Sequence, residues 1–126
     1  MMRLFKRRPK LELQFTPSSA VARELAREVH VSGELVIKNL GKGAALQDLE
    51  VVLVAGGTRR IDLELPAAWA GGQRLAAGGE LRATVEWTVK LAAPMRAPAA
   101  EIQLNTTGGG KREPLARSSR FPLENV

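Results

Sequence analysis

The sequence predicts an all-β fold, a two-sheet antiparallel β-sandwich of about seven strands. Three observations point there. Apolar residues recur with period two through most of the chain, as strands with one buried and one wet face require. Glycine-rich turns interrupt that alternation where hairpins need them. And 126 residues give room for one domain with a real core, but not comfortably for two.

The elements follow in order. LELQFT carries Leu11, Leu13 and Phe15 on one face. PSSAVARELARE then breaks the pattern: Val21, Leu25 and Val29 recur at i, i+4 and i+8, with Ser18 or Ser19 placed to cap a first turn. A short helix over residues 18–28 is the better local reading, with a loop running up to the strand at Val29 as the alternative. VHVSGELVIK resumes the alternation with Val29, Val31, Gly33, Leu35 and Ile37. LEVVLV (Leu49, Val51, Leu53) and RIDLEL (Ile61, Leu63, Leu65) flank an AGGT turn. All six of those inward residues are odd-numbered, so an odd loop, Gly56–Thr58, must join the two strands. A two-residue loop would bury Arg60, Asp62 and Glu64. AAWAGGQRL (67–75) reads as a loop anchored by Trp69. ELRATVEWTVKL is the longest alternating run, with Leu81, Ala83, Val85, Trp87, Val89 and Leu91 on its apolar face. EIQL and SRFPL supply two shorter strands. Turns are expected at 39–43, 55–58, 75–80 and 106–113, where glycines admit positive φ. Strands of this kind bury one face each only in a sandwich or a barrel. The sandwich suits the count and length; a five-stranded oligonucleotide-binding barrel is the alternative.

VSGELVIKNLGKGAALQDLEVVLVAGG (31–57) resembles the opening strand pair of arrestin-like sandwiches, with Leu49, Val51 and Leu53 as the alternating second strand. LAAGGELRATVEWTVKL (75–91) is similar to the glycine turn and long strand of the bacterial sporulation-control branch of that group. Ile37, Asn39, Gly41 and Gly43 also resemble the I-x-N-x-G-x-G strand of immunoglobulin-like modules. The resemblance covers about half the chain. It implies a sandwich that binds a partner instead of catalysing a reaction.

Charge divides the chain unevenly. The net +6 is carried by the ends: Arg3, Lys6, Arg7, Arg8 and Lys10 crowd the first ten residues, and Lys111, Arg112, Arg117 and Arg120 outnumber the acids of the last eighteen. Between them the body is near neutral. The expected organisation is thus a basic tail at 1–10 and one domain at 11–126. A secretory signal needs an apolar run after its charges, whereas LELQFTPSS alternates. No apolar run is long enough to span a bilayer, so the protein is expected in the cytoplasm, peripheral to the membrane if the tail engages it. The plain reading of the tail is a solvated end; as a contact it suits anionic surfaces, either a lipid headgroup layer, at about 1 kcal/mol per cation, or nucleic-acid phosphates. Arg3, Lys6, Arg7, Arg8, Lys10, Lys111 and Arg112 are the candidate contacts. Thirteen Arg against six Lys, with abundant Ala and Gly, suit a bacterial genome rich in G and C.

Catalytic motifs are poorly supplied. There is no Cys, which removes disulfides, thiol catalysis and zinc–thiolate sites. TTGGGKRE lacks the first glycine and the Ser/Thr of a phosphate loop, and Pro114 blocks the helix that should follow. Asn105-Thr106-Thr107 fits a glycosylation acceptor by chance. His30, the one histidine, should lie on the wet face of its strand with no local nucleophile or acid. Asp48, Glu50, Asp62 and Glu64 should share a solvated outer face with Val52, Val54 and Arg60. Trp87 belongs to the core; Trp69, in its loop, is either a cap on the core or a ligand contact. No cofactor, metal or small-molecule substrate is implied. The expected function is a non-enzymatic interaction or scaffold module that binds a partner protein, or itself, at a sheet edge or face. The alternative is a nucleic-acid-associated protein that clamps phosphates between its basic ends.

Overall fold

The structure, a computed structural model, describes residues 9–106 and 114–126. It is an antiparallel β-sandwich. The strands are β1 (Leu11–Arg23), β2 (Glu28–Asn39), β3 (Ala44–Leu46), β4 (Leu49–Ala55), β5 (Arg59–Leu63), β6 (Gln73–Leu75), β7 (Glu80–Lys90), β8 (Ala99–Thr106), β9 (Ala116–Arg117), β10 (Phe121–Pro122) and β11 (Glu124–Asn125). One sheet has the order β11-β1-β2-β7, the other β10-β8-β4-β5 with β9 also on β8; β3 and β6 form a separate two-stranded ribbon. All pairings are antiparallel except β1 with β11.

The seven expected strands are all present, and their inward faces are those the alternation picks out. Leu35, Ile37, Leu53, Ile102 and Leu104 are wholly buried between the sheets, each contributing about 1.5–3 kcal/mol by leaving water. Phe15 joins the layers, its ring centroid 6.3 Å from that of Trp87 and 5.1 Å from that of Phe121. The β4–β5 hairpin has the odd loop that parity demands: Ala55 pairs with Arg59, Leu53 with Ile61 and Val51 with Leu63. Gly56 and Gly57 both take positive φ in that turn, which a side chain would resist.

Residues 18–28 are not helical. β1 runs on to Arg23, and a turn leads into β2 at Glu28. The misleading spacing has a physical origin in a bulge between Pro17 and Ser19 that slips the β1–β2 register by one residue. Before it the buried positions are odd (Leu11, Leu13, Phe15); after it they are even (Ala20, Ala22). The phase change turns Val21 outward opposite His30 and leaves a spacing that mimics a helical stripe. Leu25 sits at the turn, 97% exposed. The Ser18 hydroxyl bonds the Ser32 hydroxyl across the strands at 3.0 Å and caps nothing. Gly33 faces the bulge: a Cβ there would run into the Thr16 carbonyl oxygen and the Pro17 Cα. The long first strand therefore depends on a glycine in its neighbour.

Candidate functional site

A sandwich has four outer strand edges, each offering a row of backbone N–H and C=O groups that must be paired, covered or left to water. The chain closes one of them, and the far end of another, with its own carboxyl-terminal residues. β9 pairs with β8 at Gln103 and Leu104, and β10 pairs with it at Ala99 and Ala100. Ser118 fills the gap: its N–H donates to the Ile102 carbonyl at 2.8 Å, and its Oγ accepts from the Ile102 N–H at 2.9 Å. The segment then crosses to the other sheet as β11 beside Val21 and Ala22. There the Val126 N–H donates to the Ala22 carbonyl and the Glu24 N–H to the Val126 carbonyl. Asn125 fastens the crossing point, accepting from the Ala97 N–H and donating to the Ala97 carbonyl.

Among the described residues, the opposite flank, bounded by β7 and β5, receives no such segment. β5 is five residues long, but β7 is eleven, and its register with β2 is continuous from Glu80 to Lys90. The hydrogen bonds that bracket this ladder, Asn39 N–H to Gly79 carbonyl and Leu91 N–H to Arg27 carbonyl, both fall on odd residues of the β7 side. Antiparallel pairs alternate between bonded and non-bonded. The even residues Arg82, Thr84, Glu86 and Thr88 therefore turn their backbone groups away from β2, toward the open edge. A groove of about 390 Å³ lies alongside, between Arg82–Trp87 and Glu64–Ala68. The far wall is tied to the strand where Trp87 Nε1 donates to the Glu64 carbonyl at 2.8 Å.

The start of β7 is held by Asn39, a wholly buried side chain. Its Nδ2 donates to the carbonyls of Lys42 (2.8 Å) and Leu75 (2.9 Å), and its Oδ1 accepts from the Gly41 N–H. One amide thereby fastens the turn after β2 to the turn before β7. The I-x-N-x-G-x-G pattern marks this residue in the sequence; its partners 36 residues away are not legible there.

On the outer face of the same sheet, charges alternate across β2 and β7. Lys38 meets Glu80 (3.8 Å), Arg82 meets Glu34 (3.3 Å) and Glu80 (3.1 Å), and Lys90 meets Glu28 (3.4 Å). His30 is on this wet face, as expected. Contrary to expectation it has a hydroxyl and a carboxylate nearby: Nδ1 lies 2.9 Å from Thr88 Oγ1 and Nε2 lies 3.8 Å from Glu86 Oε2. The second distance is beyond hydrogen-bond reach, and the three residues lie side by side on an open sheet face.

Trp69, read as either cap or ligand contact, is buried to 1% exposure in the core, and its Nε1 has no hydrogen-bond partner, which favours the cap. A 3-10 turn at Ala67–Trp69 drives the indole inward, so it serves as a plug and offers a ligand nothing. Lys10 is exposed, and its carbonyl accepts from the Leu40 N–H. Arg3, Lys6, Arg7, Arg8, Lys111 and Arg112, with the turn expected at 106–113 beyond Thr106, lie outside the described residues. Asp48, Asp62 and Glu64 are exposed and Glu50 is half-buried; among the described residues no three Asp, Glu or His side chains gather to hold a metal ion. The face they occupy is not uniformly solvated. Val52 and Val54 are buried there, flanked across the strands by Asp62 and Gln103 and by Arg60 and Glu101; of these Arg60 has a long alkyl stem of the kind that covers apolar surface. Among the described residues no helix is long and apolar enough to cross a membrane.

No protein-family model matches the chain, and no match is found among curated proteins. Solved structures similar to it include a β-glucosidase from Kluyveromyces marxianus in complex with glucose, at TM-score 0.44 and 11% identity over 92% of this chain. Another is a β-glucosidase from Listeria innocua in complex with isofagomine, at TM-score 0.37 and 21% identity over 91%. The chain spans 14% and 16% of those two proteins. Likeness at that level carries no argument about function.

Proposed function

We propose that the protein is a non-enzymatic interaction or scaffold module that docks a partner protein along the open edge of β7. The observation that carries this reading is the asymmetry of the flanks. Residues 114–126 pair along β8 and the far end of β1, while no described residue pairs with the outer edge of β7 over any of its eleven residues. Natural edges are blunted by prolines, bulges, short length or charged side chains. β7 has no proline, no glycine and no bulge, and its outward charges alternate in sign. An extended segment laid against Arg82–Thr88 gains main-chain hydrogen bonds on one side and the groove formed with Glu64–Ala68 on the other. The resemblance of 31–57 and 75–91 to arrestin-like sandwiches, which implies binding, agrees with this reading.

The test is site-specific photo-crosslinking in living cells, with a benzophenone amino acid in place of Thr88 on the open edge or of Arg120 on the closed flank. Protein adducts are expected from position 88 and not from 120. Equal adducts from both positions, or none from 88, would overturn the reading.

A second reading, contact of the basic segments with an anionic surface, is favoured by chain topology. Lys10 leads into β1 at the end of the sandwich where β8 leaves at Thr106 and the chain returns at Pro114. The described residues that adjoin both basic segments thus lie at one end of the fold. Full-length protein should bind anionic liposomes or DNA with a steep salt dependence that a 11–126 chain lacks. Equal binding by both chains would refute it.

A further inference from the structure

We infer that the occupant of the β7 edge is a second copy of the same strand, paired antiparallel about a two-fold axis through Val85. The inference rests on the edge-docking reading above and names its partner.

Register selects the pairing. Two sheets that share a core face across such an axis must pair residues of like parity, so the axis passes through a residue, and the even residues, whose backbone groups point outward, form the hydrogen-bonded pairs. Centred on Val85, Glu80 faces Lys90 of the other copy, Arg82 faces Thr88 and Thr84 faces Glu86. Both ends of the strand then meet an opposite charge, no like charges face each other, and all eleven residues of β7 take part. On the core side Ala83 lies opposite Trp87, a small residue against a large one, and Leu81 opposite Val89.

Neighbouring registers are worse. Centring on Glu86 sets that carboxylate against itself and Arg82 against Lys90. Centring on Ala83 sets Glu80 against Glu86. Centring on Thr84 is charge-compatible but pairs Lys90 with Gly78, which lies at positive φ in the preceding turn. Facing like charges are destabilising in a ladder, so Val85 is the register that uses the whole strand. The product is a continuous sheet, β11-β1-β2-β7 and its symmetry mate, with the open β7 edge removed from both copies. The groove between β7 and Glu64–Ala68 leaves the edge accessible to the incoming strand.

The experiment measures self-association of the full chain by sedimentation equilibrium. Wild type is expected to be a dimer. Thr84→Pro should be a folded monomer, because proline is tolerated where an edge N–H faces away from the sheet and removes a donor from the dimer ladder; the far-ultraviolet circular dichroism melt should stay close to wild type. Glu80→Lys and Lys90→Glu should each weaken the dimer by about tenfold or more, since each places two like-charge pairs across the axis. Mixing those two variants should restore association as a heterodimer, in which every end pair is again opposite in charge. A merely structural role for either residue predicts no such rescue. Monomeric wild type at high micromolar concentration, or a mixture no tighter than either variant alone, overturns the inference. If wild type is monomeric yet position 88 still crosslinks to another protein, the edge-docking reading stands and the self-pairing falls.

Discussion

The two flanks of this sandwich are built from strands of the same grammar but end differently. β8 and β1 are each met by a short carboxyl-terminal piece that arrives from elsewhere in the chain, and Ser118 supplies both a donor and an acceptor where the pieces leave a gap. β7 is regular over all eleven of its residues, yet nothing in the described chain pairs with its outer edge. Closure of an edge is thus decided by where a distant segment lands, while the strand's own alternation decides only which side chains face the core. A regular strand left open is a template for pairing, which is why the functional proposal falls on β7.

The comparison can be broken most severely from the closed side. Removing residues 121–126 takes Phe121 and Leu123 out of the core, both nearly buried, and unseals β1 and β8. The cost should be at least about 5 kcal/mol, comparable with the whole stability of a small domain. Urea denaturation followed by tryptophan fluorescence should show the truncated chain largely unfolded. An unchanged midpoint would mean that the closed flank does not hold the sandwich together.

A smaller effect sharpens the open side. Asn39→Ala removes the amide that ties the Lys42 and Leu75 carbonyls together and leaves those groups unpaired. A loss of about 2 kcal/mol is expected, with hydrogen exchange accelerated at Gly78 and Gly79, whose turn positions the start of β7. Uniform acceleration over all strands would argue that Asn39 acts on global stability alone. The smallest effect belongs to the outer face. Glu34→Ala deletes a partner of Arg82 that is half exposed, and exposed pairs contribute less than about 1 kcal/mol. A shift in the thermal midpoint beyond a few degrees would show that the charge rows do more than decorate the sheet.

Much of this architecture was legible in the residues. The run from Glu80 to Lys90 alternates without a fault, and the parity of Val51, Leu53, Ile61 and Leu63 dictates an odd loop that the Ala55–Arg59 pair realises. Errors arose where a local signal had a non-local cause. Val21 looked like part of a helical stripe because a bulge opposite Gly33 had changed the phase of the strand. Trp69 looked available because loop residues are usually wet, whereas the short turn beneath it aims the indole into the core. Val52 and Val54 looked solvated because they alternate outward, but they are buried on a strand flanked by neighbours on both sides. Of the candidate site, the possibility of docking at an edge was readable, and its address was not.

The amino-acid sequence by itself determined the fold class, the inward face of each long strand and the hairpin register. Period-two patterning and glycine turns act between near neighbours, and a slip of one residue would exchange core and solvent faces. Only the tertiary structure decided which edges are closed. That outcome depends on contacts such as Ser118 with Ile102 and Val126 with Ala22, made between backbone groups that every residue carries and no side-chain pattern announces.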